Sequence, residues 1–416
     1  MKKIFVGLFL SMICAICMRA QQRLQDTIIP VMETGIMPMP KQWIDQDTRH
    51  RVFKISNRLG SNRCFYFHYN PFVDNEMIFH GTVQAPVGAI TSPGMGNELM
   101  QMFAVNLETL RIRQLTNELY DVDTEVVCAK TKELFYQHND TIFCLNIKKM
   151  SKRIVTVMPK ELRGTIYTVN CNGTILAGVL DCPEMDKFLL NYPNESEHFR
   201  VMAHAKIVRT IFTIDIRSGK IKTVFNEEAW IRHLQFSPID PSSLMFCHDG
   251  PWHEVDRIWT INVCKNNKPR LMHKRTMDNE IAGHEWWGAD GKYVFFDLQK
   301  PVGENFYLGK VNVRTGKEEV FQLQRHEWSV HFNSSSDGKF LAGDGGPKNS
   351  VAASPNGQWI YLYEFMGNKL RSTRLVNMKH SNYRLSPNTH FSPDNQWVIF
   401  QSDFEGRCNI YAVEIN

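Results

Sequence analysis

The residues of this chain best suited to proton chemistry lie in the run Phe246-Cys247-His248-Asp249-Gly250-Pro251-Trp252-His253-Glu254-Val255-Asp256-Arg257. His248 closes an apolar stretch at a Gly-Pro turn, which delivers its imidazole to a face instead of a core. Histidine is the side chain whose ordinary pKa lies closest to neutrality, so His248 suits general-base work. His253, five residues on, is a further candidate for contact with a ligand. Asp256 and Arg257 read as an ion pair bracing the loop. A second group emerges from spacing. His233, His284 and His331 each stand five residues before the turn positions Pro238, Ala289 and Ser336, and Asn388 stands five before Pro393. If the strands that carry them are equivalent, three imidazoles and an amide converge on one place. His233 and His331 are then substrate-binding candidates.

The elements that would do this are legible as repeats. An apolar–polar–apolar triplet, centred on Asn106, Asn146, Asp215, Asn262, Asn312, Glu364 and Glu414, closes one kind of strand before a polar hairpin. The copies Ile214-Asp215-Ile216-Arg217-Ser218-Gly219-Lys220 and Val311-Asn312-Val313-Arg314-Thr315-Gly316-Lys317 carry glycine where tight turns need positive φ. A second signature alternates with it: a Pro-Asp or Asp-Gly turn followed by a very apolar strand. His390-Phe391-Ser392-Pro393-Asp394-Asn395-Gln396-Trp397-Val398-Ile399-Phe400 is its clearest copy. Seven interleaved copies of each, about fifty residues apart, specify an all-β, seven-bladed β-propeller. The chain stops after a third strand at Glu414, and Arg51–Asn57 resembles an outer strand. The expected ring therefore spans residues 51–416 and is closed by its N-terminal strand, which leaves no open edge. Two segments exceed ordinary loop length, Ala85–Leu99 and Ala177–Lys206.

Ahead of the ring, Lys2 and Lys3 precede an uncharged apolar run, Ile4–Met18, and Ala20 is a small residue suited to cleavage. Residues 1–20 read as a signal peptide and 21–50 as an N-terminal extension, which places the mature chain in the periplasm or outside the cell. The run is short for a membrane span, and no later segment is long and apolar enough to be one. The formal charge of +5 includes Lys2, Lys3 and Arg19, so the mature chain carries only +2, which does not support nucleic acid as a partner. Eight cysteines remain without a Cys-x-x-Cys pair, and several lie in apolar runs that suit buried thiols. No Gly-x-Ser-x-Gly, Walker or His-Glu-x-x-His motif is present.

Phe246–Pro251, Ala282-Gly283-His284-Glu285-Trp286-Trp287, Gly343-Asp344-Gly345 and Phe391–Asp394 running to Asp403 together resemble the oligogalacturonate lyase family. The resemblance covers essentially the whole mature chain. It implies β-elimination on an acidic oligosaccharide, with His248 as base and Arg209 assisting. It also implies a divalent metal, usually manganese, with His284 as its first ligand. The family's Gln-x-x-His-x-His run is Tyr383-Arg384-Leu385-Ser386-Pro387-Asn388 here, which leaves Asn388 and His390 beside His284 as metal candidates. Arg384, in the place of that run, could take a uronate carboxylate bidentately. The elimination is chemically coherent: the C5 proton lies next to a carboxylate, and its removal needs a base and a cation. The alternatives are a non-catalytic propeller that binds a carbohydrate or protein, and a lyase on a different uronide.

Overall fold

The computed structural model describes residues 29–415 save 37, 193–194 and 266–267. The segment read as a signal peptide lies outside the described residues. Seven sheets are arranged in sequence order, antiparallel except where Val31–Met32 pairs in parallel with Gln42–Asp45 in the closing sheet. Blade three, for example, comprises Gly164–Val169, Ile175–Leu180, Val208–Asp215 and Ile221–Glu228, and blade four comprises Ile231–Phe236, Ser243–His248, Ile258–Asn262 and Arg270–Leu271. The triplets mark the ends of third strands as expected: these strands end at Asn106, Asn146, Asp215, Asn262, Asn312 and Glu414, and only blade six runs past its triplet, to Met366.

Alternation along each strand presents one apolar row to each neighbouring blade. The result is a separate hydrophobic cluster at each of the seven junctions between blades. Met245, Ile258, Ala282, Val294 and Phe296, for instance, join blades four and five. The seventh sheet closes the ring. Arg51–Lys54 pairs with Asn409–Glu414, in register Val52 to Val413 and Phe53 to Ala412. The stretch taken as an extension contributes further: Gln42–Asp45 and Val31–Met32 add two more strands outside Arg51–Lys54. Trp43 is fully buried there, and its indole nitrogen donates to Thr34.

Between the second and third strands of blade three, the long segment folds into two helices, Pro183–Asn191 and Glu195–His204. They are seated by a small cluster of Cys182, Met202, Phe188, Ile207 and Trp230. Among the described residues no helix is long and apolar enough to cross a membrane. Six of the eight described cysteines are buried.

Candidate functional site

In antiparallel blades the starts of first and third strands share one end of the ring with the ends of second and fourth strands. Register places Ile231 opposite His248 and Arg209 opposite Glu227, so His248, Arg209 and Glu227 all lie at this end. The two helices and the loop after His248 are at the same end.

The inner strands of blades four and five are bulged at the aligned histidines. Their pairing shifts register between Arg232 and Gln235 and between Gly283 and Trp286. His233 and His284 sit within those bulges at φ 49° and 47°, and Asn388 in blade seven repeats the conformation at 48°. A left-handed backbone at a non-glycine residue costs on the order of 1–3 kcal/mol and persists where the surrounding structure enforces it. Here the bulge turns the side chain into the channel.

Alignment missed what the imidazoles meet there. The segment Phe65–Tyr69 runs across the channel after the first inner strand. The Phe67 ring stacks on His331 with centroids 4.7 Å apart, and Tyr66 lies 5.0 Å from His331 and 6.3 Å from His233. His68 adds a fourth imidazole, 6.2 Å from His233, while His284 and His331 meet edge to face at 4.7 Å. A cavity of about 310 Å³ opens over this floor, lined in part by His68, His233, His284, Arg232, Asp249 and Trp252. A second cavity of about 650 Å³ lies on the other side of the same segment, bordered by the turns at Ser237, Ala289 and Ser336.

Burial holds His68, His233 and His284 neutral. His233 is pushed down to about 4 by desolvation, with Arg257 adding to the effect. His284 and His68 are held well below the usual value by desolvation and by neighbouring imidazoles. His331 is fixed differently: its Nδ1 is 2.8 Å from Asp344 Oδ2 and its backbone N–H donates to Asp344 Oδ1 at 2.8 Å, so Nε2 is the nitrogen left for other contacts.

Arg257 is buried beneath the cavity between two carboxylates. Its Nη1 donates to Asp249 Oδ1 at 2.6 Å and its Nε to Glu285 Oε2 at 2.9 Å. The expected Asp256–Arg257 pair does not form. Asp256 instead accepts the backbone N–H of Arg275 at 3.1 Å, because adjacent residues at the start of a strand face opposite ways.

His248 faces away from this cavity, toward blade three. Its Nε2 is 3.0 Å from Glu227 Oε2 and its ring stacks on Trp259 at 4.9 Å. Desolvation lowers its pKa, and Glu227 partly opposes that. Arg209 stands across the ladder from Glu227; its Nε is buried without a hydrogen-bond partner, and among the described residues no ion pair engages it. His248 and Asp249, adjacent in the chain, thus join two patches: a His248–Glu227–Arg209 patch between blades three and four, and the imidazole cavity over the channel.

Several candidates fall outside both patches. His253 is exposed beside Glu254. Arg384 is exposed, and the inward position in that run belongs to Tyr383, whose hydroxyl donates to Asp344 O at 2.8 Å. His390 lines the larger cavity on the far side of Phe65–Tyr69 and spends Nε2 on Phe65 O at 3.0 Å, so it does not meet His284. Asn388 is buried with Oδ1 unpartnered, as is His284 Nδ1.

Those two orphaned atoms are a poor nucleus for a divalent cation. Manganese favours about six hard ligands, and among the described residues no three His, Cys, Asp or Glu side chains converge for one. The nearest carboxylates are committed, Asp249 and Glu285 to Arg257 and Asp344 to His331. A fixed guanidinium beside His284 opposes a second cation further. The donor set does not fit a metal.

Fold and site define a β-propeller with acid–base groups and uncommitted cationic donors at the mouth of its channel. The family model described as oligogalacturonate lyase matches residues 88–416, and the chain belongs to that family. It is 24% identical to an oligogalacturonide lyase of Pectobacterium atrosepticum over 68% of this chain and 74% of that one. It is 23% identical to an oligogalacturonate lyase of Dickeya dadantii over 60% of this chain, and the match spans 65% of that relative's length. Two solved structures share the fold. One is an oligogalacturonate lyase in complex with manganese, at TM-score 0.74 and 19% identity, covering 90% of this chain and 96% of that one. The other is an oligogalacturonate lyase from Vibrio parahaemolyticus, at TM-score 0.75 and 21% identity, with the same coverage.

Proposed function

We propose that the protein is a lyase that cleaves short galacturonate-type oligouronides by β-elimination, leaving a 4,5-unsaturated uronide. The observation that carries this reading is His248, held neutral beside Glu227, with Arg209 across the ladder from Glu227 and in no ion pair among the described residues. His248 Nε2 lies 3.0 Å from Glu227 Oε2 without forming a hydrogen bond there, and a neutral imidazole carries a lone pair on one of its two nitrogens to accept the proton. Arg209 pairs with the uronate carboxylate and lowers the energy of the enediolate that develops as the proton leaves. The C5–H bond breaks and its proton passes to His248. The electron pair forms the C4=C5 bond, and the C4–O bond breaks. The leaving oxygen departs with that bond's electrons and takes a proton from solvent.

The test is a continuous ultraviolet assay for the unsaturated product, using saturated digalacturonate, with glucuronate and rhamnogalacturonan fragments as parallel substrates. Product from digalacturonate, lost in His248→Ala, supports the proposal. Product only from another uronide reassigns the substrate, and product from none leaves a binding propeller. With this reading goes export of the chain. N-terminal sequencing of the mature protein tests it, and a start at Met1 would refute it.

A further inference from the structure

The imidazole cavity is lined by two guanidiniums that the elimination does not use, Arg232 and Arg257. Arg232 precedes the bulged His233 and lies across the ladder from Cys247, next to the strand end that carries His248. It lines the cavity, and nearly half of its side chain is exposed, 46%. Among the described residues its ion pair is with Asp249, Nη1 to Oδ2 at 3.2 Å, and its guanidinium lies 5.2 Å over the Trp230 ring. Arg257 differs: it is buried and held between two carboxylates, at 2.6 Å and 2.9 Å.

Asp249 makes an exchange possible. Its Oδ1 is held by Arg257 at 2.6 Å, so it keeps a partner when Arg232 turns away. A guanidinium has five N–H donors in a fork that matches a carboxylate, and Arg232 spends one. The charges around the cavity, Arg232 and Arg257 against Asp249 and Glu285, already balance without a metal. Arg209 stands across the ladder from Glu227, the carboxylate beside His248, and Arg232 stands across the ladder from Cys247, the residue before His248.

We infer that Arg232 forms a second carboxylate subsite, one residue along an oligouronide from Arg209, and that it binds directly without a bridging cation. This rests on the oligouronide reading above. It makes a diuronide, with two carboxylates for two guanidiniums, the smallest ligand bound well.

The experiment is calorimetric titration of the mature chain carrying His248→Ala, so that nothing turns over, with mono- and digalacturonate in excess EDTA. Digalacturonate is expected to bind at least tenfold more tightly than the monomer. Arg232→Ala removes that advantage and leaves monomer affinity unchanged; Arg232→Lys, whose melting temperature verifies folding, keeps part of it. Free Mn2+ followed by electron paramagnetic resonance is expected to be unchanged by added protein. Undiminished digalacturonate binding in Arg232→Ala, no binding to the parent chain, or stoichiometric Mn2+ uptake lost in His284→Ala overturns the inference. Failure of the lyase reading is separate: it shows as absent product in the chain that retains His248, with these affinities intact.

Discussion

The two patches that meet at His248 and Asp249 are built on opposite principles. The imidazole cavity is preorganised. Its floor is a crossing segment, its histidines are fixed by bulges, and its buried charge is closed between Asp249 and Glu285. The His248 patch is loose: three groups from two blades, with Glu227 nearly half exposed and Arg209 in no ion pair among the described residues. The difference teaches where each task lies. Under the proposed elimination, the locked cavity suits recognition and positioning, while a group that must gain and lose a proton sits where its partners can move.

The sharpest way to break this division is His248→Ala. General-base loss predicts a fall in kcat of roughly 10²–10⁴-fold, with digalacturonate affinity retained; a parallel loss of affinity would assign His248 to recognition. Arg257→Leu attacks the other patch. It leaves Asp249 and Glu285 without their cation, and breaking a buried pair costs on the order of 3–5 kcal/mol. Thermal and denaturant unfolding measure it, and an unchanged midpoint would mean that the triad is not structural. Trp252→Ala removes the ring that lies 4.9 Å from His284 and 4.6 Å from Arg257. About a tenfold rise in KM is expected, with kcat little changed. The smallest effect is in pH. Because the His248 pKa is lowered, its basic form persists below the usual histidine range, and kcat/KM rises with pH only through that lowered value. Glu227 raises this pKa, so Glu227→Gln moves the acid limb to still lower pH and reduces the plateau. A limb that moves upward would contradict the assignment.

Sequence spacing was a good guide wherever structure repeats. Turn signatures recur with every blade, so the strand ends at Asn106 through Glu414 could be placed, and so could the shared position of His233, His284 and His331. Spacing was silent where one segment acts once. Phe65–Tyr69 has no counterpart in other blades, so His68 and the channel floor could not be aligned with anything. Glu227 was missed because an acidic residue on an outer strand looks like a solvated face until register sets it beside His248. Arg232 was missed because spacing along the inner strand singled out only its neighbour His233. Arg384 was favoured by its position in the run, yet a one-residue difference in facing gives the interior to Tyr383. The Asp256–Arg257 reading found a structural ion pair but chose the neighbour, although the true partners lie 8 and 28 residues away.

The closure of the seventh blade has a consequence in time. Arg51 bonds Glu414 across 363 residues, and three N-terminal strands wait on the last ones made. During synthesis the leading segment has no sheet to join, and its strand edges stay unpaired until the final hairpin emerges. Few contacts have so high an order, and ring closure is set to be the slow, late step of folding. Until it occurs, the crossing segment at Phe65–Tyr69 lacks the blade-seven contact that His390 gives to Phe65 O. The cavity is therefore completed only as the ring shuts, so a chain caught before closure would have its catalytic groups but no assembled place for them to act.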